Sequence, residues 1–289
     1  MSFYTLLARL PLRVLYSVAG VIYFLLYYVA RYRRRVVRDN LAAAFPQKSP
    51  TELLVLEKDF YRQLCDVVVE ILHAWKMPAE EIMKRVHVIN GEVITELKEK
   101  QQSALLLSVH QCNWEWMLHA ISLHSGIHVD CVYKPLHNKT ADAFIYASRS
   151  RFGAKPLAMR DSTKELVRRR SEFKIFAMVA DQSPTRKERG YWTDFLNRPA
   201  AFYEGAEKIA LLTQNPVIFV HMRRVRRGHY ELRYEPLAEP PHEKNNAGIT
   251  EAYIEAAERS IRSQPESWLW SNRRWKRSPE ATDAVNVSA

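Results

Sequence analysis

The chain has 289 residues and a net charge of +11, with 43 Lys and Arg against 32 Asp and Glu. Apolar residues make up 47% of it, which is enough for a hydrophobic core and excludes a predominantly disordered chain. The positive charge favours an anionic partner: nucleic acid, a phospholipid surface or a phosphorylated substrate. The three cysteines lie far apart without C-x-x-C spacing, which argues against a zinc ribbon or a disulfide framework and fits a reducing compartment.

An uncharged apolar stretch, VLYSVAGVIYFLLYYVA, runs from Val14 to Ala30. At about 1.5 Å per residue it reaches somewhat less than the roughly 30 Å hydrocarbon core of a bilayer. A helix that spans the membrane and a helix that lies in its interface therefore both stay open. Five arginines follow between positions 31 and 38 and mark the cytoplasmic side, and no small-x-small cleavage site precedes them. We predict a retained membrane anchor over residues 1–35 and a main domain over residues 36–289.

A helical region follows the anchor. Ser49-Pro50-Thr51-Glu52 predicts a helix start, with proline at the first turn and glutamate within it. Beyond it, apolar residues recur at three- and four-residue steps, which predicts one buried face. These residues are Leu53, Leu56, Phe60, Leu64, Val67 and Ile71.

From Val86 onward, short apolar runs alternate with amphipathic segments. The predicted strands are SALLLSVH, IHVDCVYK, FKIFAMVAD, PVIFVHMR and HYELRYEPL. The predicted helices are CNWEWMLHAISLHS, which Gly126 can end, residues 139–152, residues 162–170 after an Asp-Ser cap, YEGAEKIALLTQ and residues 249–263. Strands that alternate with helices imply an α/β fold, with a mostly parallel sheet sandwiched by helices. We expect a single domain behind the anchor.

His110 and Asp181 each directly follow an apolar predicted strand. In open α/β sheets, ligand sites form at the carboxyl ends of strands, so two ionisable groups at two such ends indicate a site. The alternative is ordinary polarity at strand ends, with Asp181 capping a turn. The pattern alone does not decide between them.

Glu115 lies five residues after His110, in the first turn of the next predicted helix. If its carboxylate folds back to one imidazole nitrogen, it fixes the tautomer and raises the basicity of the other nitrogen. Such a pair suits a general base that takes a proton from a hydroxyl group. The alternative is a solvated glutamate near the positive end of a helix.

Three rival interpretations are weaker. We expect no metal site, because His119 and His124 follow without an H-E-x-x-H or paired-cysteine pattern. Cys112 is a poor candidate nucleophile, because adjacent side chains point apart. Basic runs at 35–38, 167–174, 185–190 and 223–230 could bind nucleic acid, but no helix-turn-helix, zinc-finger or ribonucleoprotein motif organises them. Beside the anchor, phosphate-bearing lipid fits better, and we expect no nucleic-acid partner.

Several blocks, in order along most of the chain, resemble one family. HQCNWE resembles the H-x4-D/E motif of glycerolipid-type acyltransferases, and the set as a whole resembles the lipid A biosynthesis lauroyl/myristoyl acyltransferase family. Lys134, and Ser271 with Asn272, depart from the family's usual residues. The other blocks are RDNLAAAFP, VYKPLHNK, LAMRDSTKELVRR, VADQSPTRKERGYWTDFLNRPAAFYEGAEKIALLTQNPVIFV and QPESWLWSNRRWK.

The resemblance implies an acyltransferase domain over residues 36–289 that faces the cytoplasm at the bacterial inner membrane. His110, oriented by Glu115, would deprotonate the hydroxyl of a phosphorylated lipid A precursor. That oxygen would attack the thioester of an acyl carrier protein, with no metal or bound cofactor. Arg160 would hold a phosphate or the developing oxyanion, Asp181 would orient it, and Asn113 would also contact substrate.

Two alternatives remain at this stage. One is acylation of another lysolipid, glycolipid or aminolipid by the same mechanism. The other is a basic membrane adaptor that recruits acidic partners without chemistry. The basic face would serve both the acidic carrier protein and anionic lipid headgroups.

Overall fold

Helices and strands alternate along most of the chain, and the computed structural model describes residues 3–185, 190–244, 247–279 and 285–286. A π-helical turn, Leu25–Val29, continues α2. The helices are α1 (Phe3–Leu7), α2 (Leu12–Phe24), α3 (Arg34–Ala44), α4 (Pro50–Ala74), α5 (Ala79–Arg85), α6 (Glu92–Glu99), α7 (Trp114–Ser125), α8 (Lys139–Arg149), α9 (Met159–Arg168), α10 (Gly205–Thr213) and α11 (Gly248–Ser263). The strands are β1 (Val86–Val88), β2 (Ala104–Ser108), β3 (Val129–Tyr133), β4 (Ala154–Ala158), β5 (Ile175–Val179), β6 (Tyr191–Phe195), β7 (Arg198–Phe202), β8 (Val217–Arg226), β9 (His229–Ala238) and β10 (Val285–Asn286).

A seven-stranded sheet has the order β1-β9-β8-β2-β5-β3-β4. Only β8 and β9 pair antiparallel within it, so the predicted α/β fold with a mostly parallel sheet is confirmed. A second sheet joins β10, β6 and β7. The edge strand β4 had no counterpart among the predicted strands, because Lys155 and Pro156 interrupt its apolar pattern. Proline is tolerated there because an edge strand has one free side.

Helices cover both faces of the sheet. Leu105 and Leu107 of β2 enter one hydrophobic cluster together with residues of α10 and α11. Leu106, which points to the opposite face, enters a second cluster together with residues of α6 and α7. This is the sandwich that the alternating pattern predicts, and it explains why β2 is apolar from Ala104 to Leu107.

Helix α4 begins where the sequence predicts. The Ser49 hydroxyl accepts from the backbone N–H of Glu52 at 3.3 Å, and the Glu52 carboxylate accepts from the backbone N–H of Ser49 at 2.8 Å. This capping box satisfies two amides that the helix itself leaves free. The start predicted for α9 is wrong: the helix begins at Met159, without a side-chain cap, and Ser162 lies inside it.

The N-terminal helix packs along one side of the main domain. The segment Leu12–Val29 is long and apolar enough to cross a membrane, judged by length and composition. Leu15 and Ala19 are buried against the rest of the protein, and the Tyr16 hydroxyl donates to Glu70 of α4 at 2.7 Å. Its other face is apolar and exposed, with Val21, Phe24 and Val29 at 56–65% exposure.

Glu70 is a buried carboxylate that joins four elements. Besides Tyr16, it accepts from the Tyr230 hydroxyl of β9 at 2.5 Å and from the Asn113 amide, just before α7, at 3.0 Å. Its backbone carbonyl accepts from the Trp116 indole of α7 at 3.0 Å. The N-terminal helix, the sheet and the start of α7 are therefore held by one side chain.

We expect Glu70→Ala to lower the free energy of unfolding by about 3 kcal/mol or more, because it leaves several buried donors unpaired and opens a cavity. Urea or thermal unfolding of the full chain measures this. The matched control is Glu96→Ala, which removes an exposed i,i+4 pair with Lys100 and should change stability by less than about 0.5 kcal/mol. Equal effects of the two variants would contradict the role given to Glu70.

Candidate functional site

His110 and Asp181 lie side by side because their strands do. Strands β2 and β5 are parallel neighbours, with Ser108 in register with Val179. His110 and Asp181 each lie two positions beyond that pair, so both follow the carboxyl ends of their strands on the same side of the sheet. The Asp181 carboxylate accepts from the His110 backbone N–H at 3.1 Å, and its other oxygen lies 2.6 Å from imidazole Nδ1.

The environment of Asp181 favours its ionised form. The side chain is 3% exposed, and the Trp268 indole donates at 2.7 Å to Oδ2, the same oxygen that accepts from the His110 backbone N–H. Burial raises the pKa of Asp181, but His110 and the Trp268 N–H lower it by more, so the pKa lies below its ordinary value. An ionised carboxylate at Nδ1 keeps the proton on that nitrogen and leaves Nε2 as the basic atom. The His110 side chain is 20% exposed, so a ligand can reach it.

The segment after α11 holds the loop that carries His110. The backbone N–H of Leu269 donates to the His110 carbonyl at 3.0 Å, and that of Cys112 donates to the Ser267 carbonyl at 2.9 Å. Gln111 forms an antiparallel bridge with Trp268. The block QPESWLWSNRRWK therefore pairs directly with the block HQCNWE, although about 150 residues separate them.

Cys112 makes the turn between His110 and α7. Its φ of 53° lies in the left-handed region, which few residues other than glycine adopt. Its thiol donates to the Met222 carbonyl at 3.1 Å, and burial raises the pKa of Cys112 to about 12. A buried, protonated thiol is a poor nucleophile, as the sequence predicts.

Glu115 does not contact His110 in the part of the chain that the structure describes, and this corrects the predicted pairing. It accepts two hydrogen bonds from Arg149, the last residue of α8, at 2.8 Å and 2.5 Å. Helix α7 turns the Glu115 carboxylate toward α8, whereas strand register brings Asp181 to the imidazole. Asp181 thus takes the place that the sequence assigned to Glu115.

The Glu115–Arg149 pair is buried and fully charged. Burial raises the pKa of Glu115, but the Arg149 charge and its hydrogen bonds lower it below the ordinary value. Burial acts against the Arg149 cation too, yet Glu115 raises the pKa of Arg149 above its usual range. Arg149 was missed at the level of sequence, because residues 139–152 look like an ordinary amphipathic helix and no motif marks it.

Arg160, a predicted substrate contact, does not lie beside His110. Arg160 follows the edge strand β4, is 86% exposed at its side chain, and donates to Asp161 at 3.1 Å. Asp181 is bonded to His110 and Trp268, so the expectation that it orients Arg160 is not met.

Asn113 is fully buried at the start of α7. Its amide oxygen accepts from the Trp116 backbone N–H at 3.0 Å, and its amide nitrogen donates to Glu70. The structure gives it the role of a helix cap in place of the predicted contact with substrate.

An apolar cleft opens beside this site, between α7 and the sheet. Its enclosed space is about 60 Å³, and the whole opening, including its solvent-open mouth, is about 490 Å³. Trp114 lines it and packs edge-on against the His110 ring, with centroids 5.3 Å apart. Glu115 and Arg149 supply charged groups to its wall. The remaining wall is mostly apolar and includes Leu106, Leu107, Met117, Leu118, Ile121 and Met178.

A carboxylate-oriented imidazole beside such a cleft suits general-base attack by a hydroxyl on an ester or thioester that carries an apolar chain. Within the ranges that the structure describes, no group of three or more His, Cys, Asp and Glu side chains is arranged to hold a metal ion.

Much of the predicted basic surface is neutralised. Arg224 and Arg227 both bind Asp66, at 2.6 Å and 2.5 Å. Arg169 binds Asp130 at 3.0 Å. Of the run at 185–190, residues 186–189 lie outside the described residues.

Comparison with known proteins gives one consistent family. Residues 1–277 match the family model described as bacterial lipid A biosynthesis acyltransferase. The chain is 23% identical over 279 residues to the lipid A biosynthesis lauroyltransferase of Escherichia coli (strain K12), covering 95% of this chain and 89% of that protein. It is 24% identical over 258 residues to the lipid A biosynthesis palmitoleoyltransferase of the same strain and to the lipid A biosynthesis acyltransferase of Shigella flexneri, covering 88% of this chain and 82% of each.

His119, one turn beyond Glu115, predicts a pH dependence of stability. It is fully buried, neither ring nitrogen has a hydrogen-bond partner in the described part of the chain, and burial lowers its pKa to about 4. In the unfolded chain the His119 imidazole binds a proton near pH 6.5, whereas in the folded chain it binds one only near pH 4. We therefore expect stability to fall as the pH drops from about 6.5 to 4, by on the order of 1–3 kcal/mol.

Urea unfolding across this pH range tests the effect. His119→Leu should flatten the slope by up to about one proton, and His137→Leu, at an exposed position, is the control for the substitution itself. An unaltered slope in His119→Leu would show that other groups cause the acid sensitivity.

Proposed function

Because the chain belongs to the bacterial lipid A biosynthesis acyltransferase family, we propose that it transfers a fatty acyl chain from an acyl carrier protein thioester to a hydroxyl of a lipid A precursor. His110 is the general base, and Asp181 is the carboxylate that orients it. The observation that carries this proposal is the 2.6 Å contact between these two side chains beside an apolar cleft. The names of the relatives support the class of acceptor.

In the proposed reaction, His110 Nε2 takes the hydroxyl proton as the hydroxyl oxygen attacks the thioester carbonyl carbon. The new carbon–oxygen bond forms, the carbon–sulfur bond breaks, and the departing thiolate receives the proton from the imidazolium. Asp181 stabilises the imidazolium while it exists and keeps Nε2 directed at the substrate. The reaction needs no oxidant or reductant.

We assign Arg149 to the developing oxyanion, since it is a cation in the wall of the cleft. Glu115 serves the reaction in this proposal by holding Arg149 in place through two hydrogen bonds. Arg160, which is exposed at the far edge of the sheet, is free to meet a lipid phosphate. The two arginines thus divide the roles that the sequence assigned to Arg160 alone.

The cleft is the proposed site of the donor's acyl chain. Each methylene buried there contributes about 0.8 kcal/mol, so an apolar wall of fixed depth selects chain length by steric fit. Ile121 lies six residues beyond Glu115 on α7, about 9 Å farther along the helix. It is therefore the lining residue of α7 farthest from the charged pair.

Anchoring at the membrane is the remaining part of the proposal. The apolar face of α2, exposed at Val21 and Phe24, would enter the bilayer, and exposed arginines such as Arg33 and Arg35 would meet anionic headgroups on the cytoplasmic side. Residues 1–35 are then the anchor and residues 36–289 the acyltransferase domain, at the inner membrane. The acidic carrier protein would approach the remaining basic surface from the cytoplasm.

The paired roles of His110 and Asp181 are tested by acyl transfer with an acyl carrier protein thioester and a lipid A precursor. His110→Ala and Asp181→Asn should each lower kcat by about 10²-fold or more. Because the two act as a unit, the double variant should lie within about threefold of His110→Ala.

The control for that experiment is Glu96→Gln, at an exposed position, which should retain full activity. Glu115→Gln should lower activity independently of Asp181. If Glu115→Gln, and not Asp181→Asn, proves non-additive with His110→Ala, then Glu115 is the orienting carboxylate after all. Unchanged activity in all variants would favour a non-catalytic adaptor, and a preference for another acceptor would reassign the substrate.

Chain-length selection is tested by filling the deep end of the cleft. We expect Ile121→Trp to lower kcat/KM for long acyl donors by about tenfold or more while sparing short ones, because the indole occupies space the chain needs. A series of acyl carrier proteins loaded with different chains measures this. Val68→Trp, at an exposed position on α4, is the control. A uniform loss across all donors would argue against this end of the cleft as the limit.

A further inference from the structure

Arg274 is a cation in the protein interior that has no hydrogen-bond partner among the residues the structure describes. The residue is 1% exposed, and within the described ranges none of its three guanidinium nitrogens makes a hydrogen bond. Arg273, its neighbour in the same block, is exposed. A guanidinium carries five N–H donors, and removing it from water without a partner is strongly unfavourable.

Aromatic rings supply part of the compensation. The Arg274 guanidinium carbon lies 4.2 Å from the ring centroid of Phe202 in β7 and 5.7 Å from that of Phe195 in β6. Burial lowers the pKa of Arg274 to about 10, and the negative charge of Asp181 acts in the opposite direction. The side chain therefore stays charged at neutral pH. An apolar residue would fill this site without that penalty, which indicates a role other than stabilising the fold.

Arg274 and Asp181 belong to one buried region. The Trp268 ring that donates to Asp181 packs edge-on against Phe195, with centroids 6.1 Å apart, and Phe195 in turn lies under Arg274. Burial and the Asp181 charge raise the pKa of Tyr253 in α11, and the Arg274 charge lowers it. Among the described residues, the titratable and charged groups that face this region are His110, Asp181, Tyr203, Tyr253 and Arg274, with the Glu115–Arg149 ion pair at the cleft.

We propose that Arg274 is a positioning residue for the acyl transfer reaction, which balances the charge of Asp181 so that His110 stays unprotonated and available as a base. Asp181 alone would draw a proton onto the imidazole, because a carboxylate favours the imidazolium. With Arg274 the buried charges sum to zero, and Asp181 orients the ring without over-stabilising its cation. This rests on the proposed role of His110 as the general base.

The experiment measures the proton affinity of His110 directly, in the full-length protein. Histidine-labelled protein is titrated by NMR, and the His110 signal is identified as the one missing from His110→Ala. We expect Arg274→Met to raise the pKa of His110 by about one unit, because the balancing charge is gone. Arg274→Lys should keep it near that of the unaltered protein, and Arg273→Met is the matched control that should not move it.

Two further measurements accompany the titration. The acid limb of the pH profile of kcat/KM should move to higher pH in Arg274→Met by the same amount, and Arg274→Lys should restore it. The unfolding temperature of Arg274→Met should be equal to or higher than that of the unaltered protein, because a buried unpaired charge has been replaced by an apolar side chain.

Each outcome decides the inference. An unchanged His110 pKa in folded Arg274→Met overturns it, and so does failure of Arg274→Met to fold, which would assign the guanidinium to stability. If the unaltered protein transfers no acyl chain, the proposed function fails, while the NMR titration still decides whether Arg274 and His110 are coupled.

Discussion

The register between β2 and β5 is the constraint on which the site depends. Ser108 and Val179 are level with each other, so the residues two positions later, His110 and Asp181, emerge together at the carboxyl edge of the sheet. A slip of one residue in either strand would turn one side chain to the opposite face and break the 2.6 Å contact. Both faces of the sheet are packed against helices, so a slipped strand would have to repack the hydrophobic clusters on both sides.

A second constraint comes from the far end of the chain. The segment around Trp268 pairs with the loop from His110 to Cys112 and also donates to Asp181. These contacts give hydrogen-bond partners to backbone groups of the loop, which turns at Cys112 in the left-handed conformation. Two distant blocks of sequence thus form one rigid support for a single imidazole.

Sequence alone predicted the α/β fold, the capped start of α4 and the family, since each depends on local pattern or on several blocks in order. It also singled out His110 and Asp181, because strand ends in a parallel sheet are informative. It mispaired Glu115, because proximity along a chain does not give the direction of a side chain on a helix. Arg149 carried no local signal, and Arg274 stood in a recognisable block without a role assigned to it; their contacts arise only when α8 and the last segment pack against the rest of the chain. Arg160 stood in a recognisable block, yet the fold leaves it on the surface.

The bond between Tyr16 and Glu70 makes the apolar N-terminal helix part of the folded unit. The same carboxylate accepts a hydrogen bond from the Asn113 amide, and Asn113 caps the helix that follows the loop carrying His110. Removing the first thirty residues would therefore take a support from that loop and uncover the surface against which Leu15 and Ala19 pack. A preparation for activity measurements should retain the whole chain.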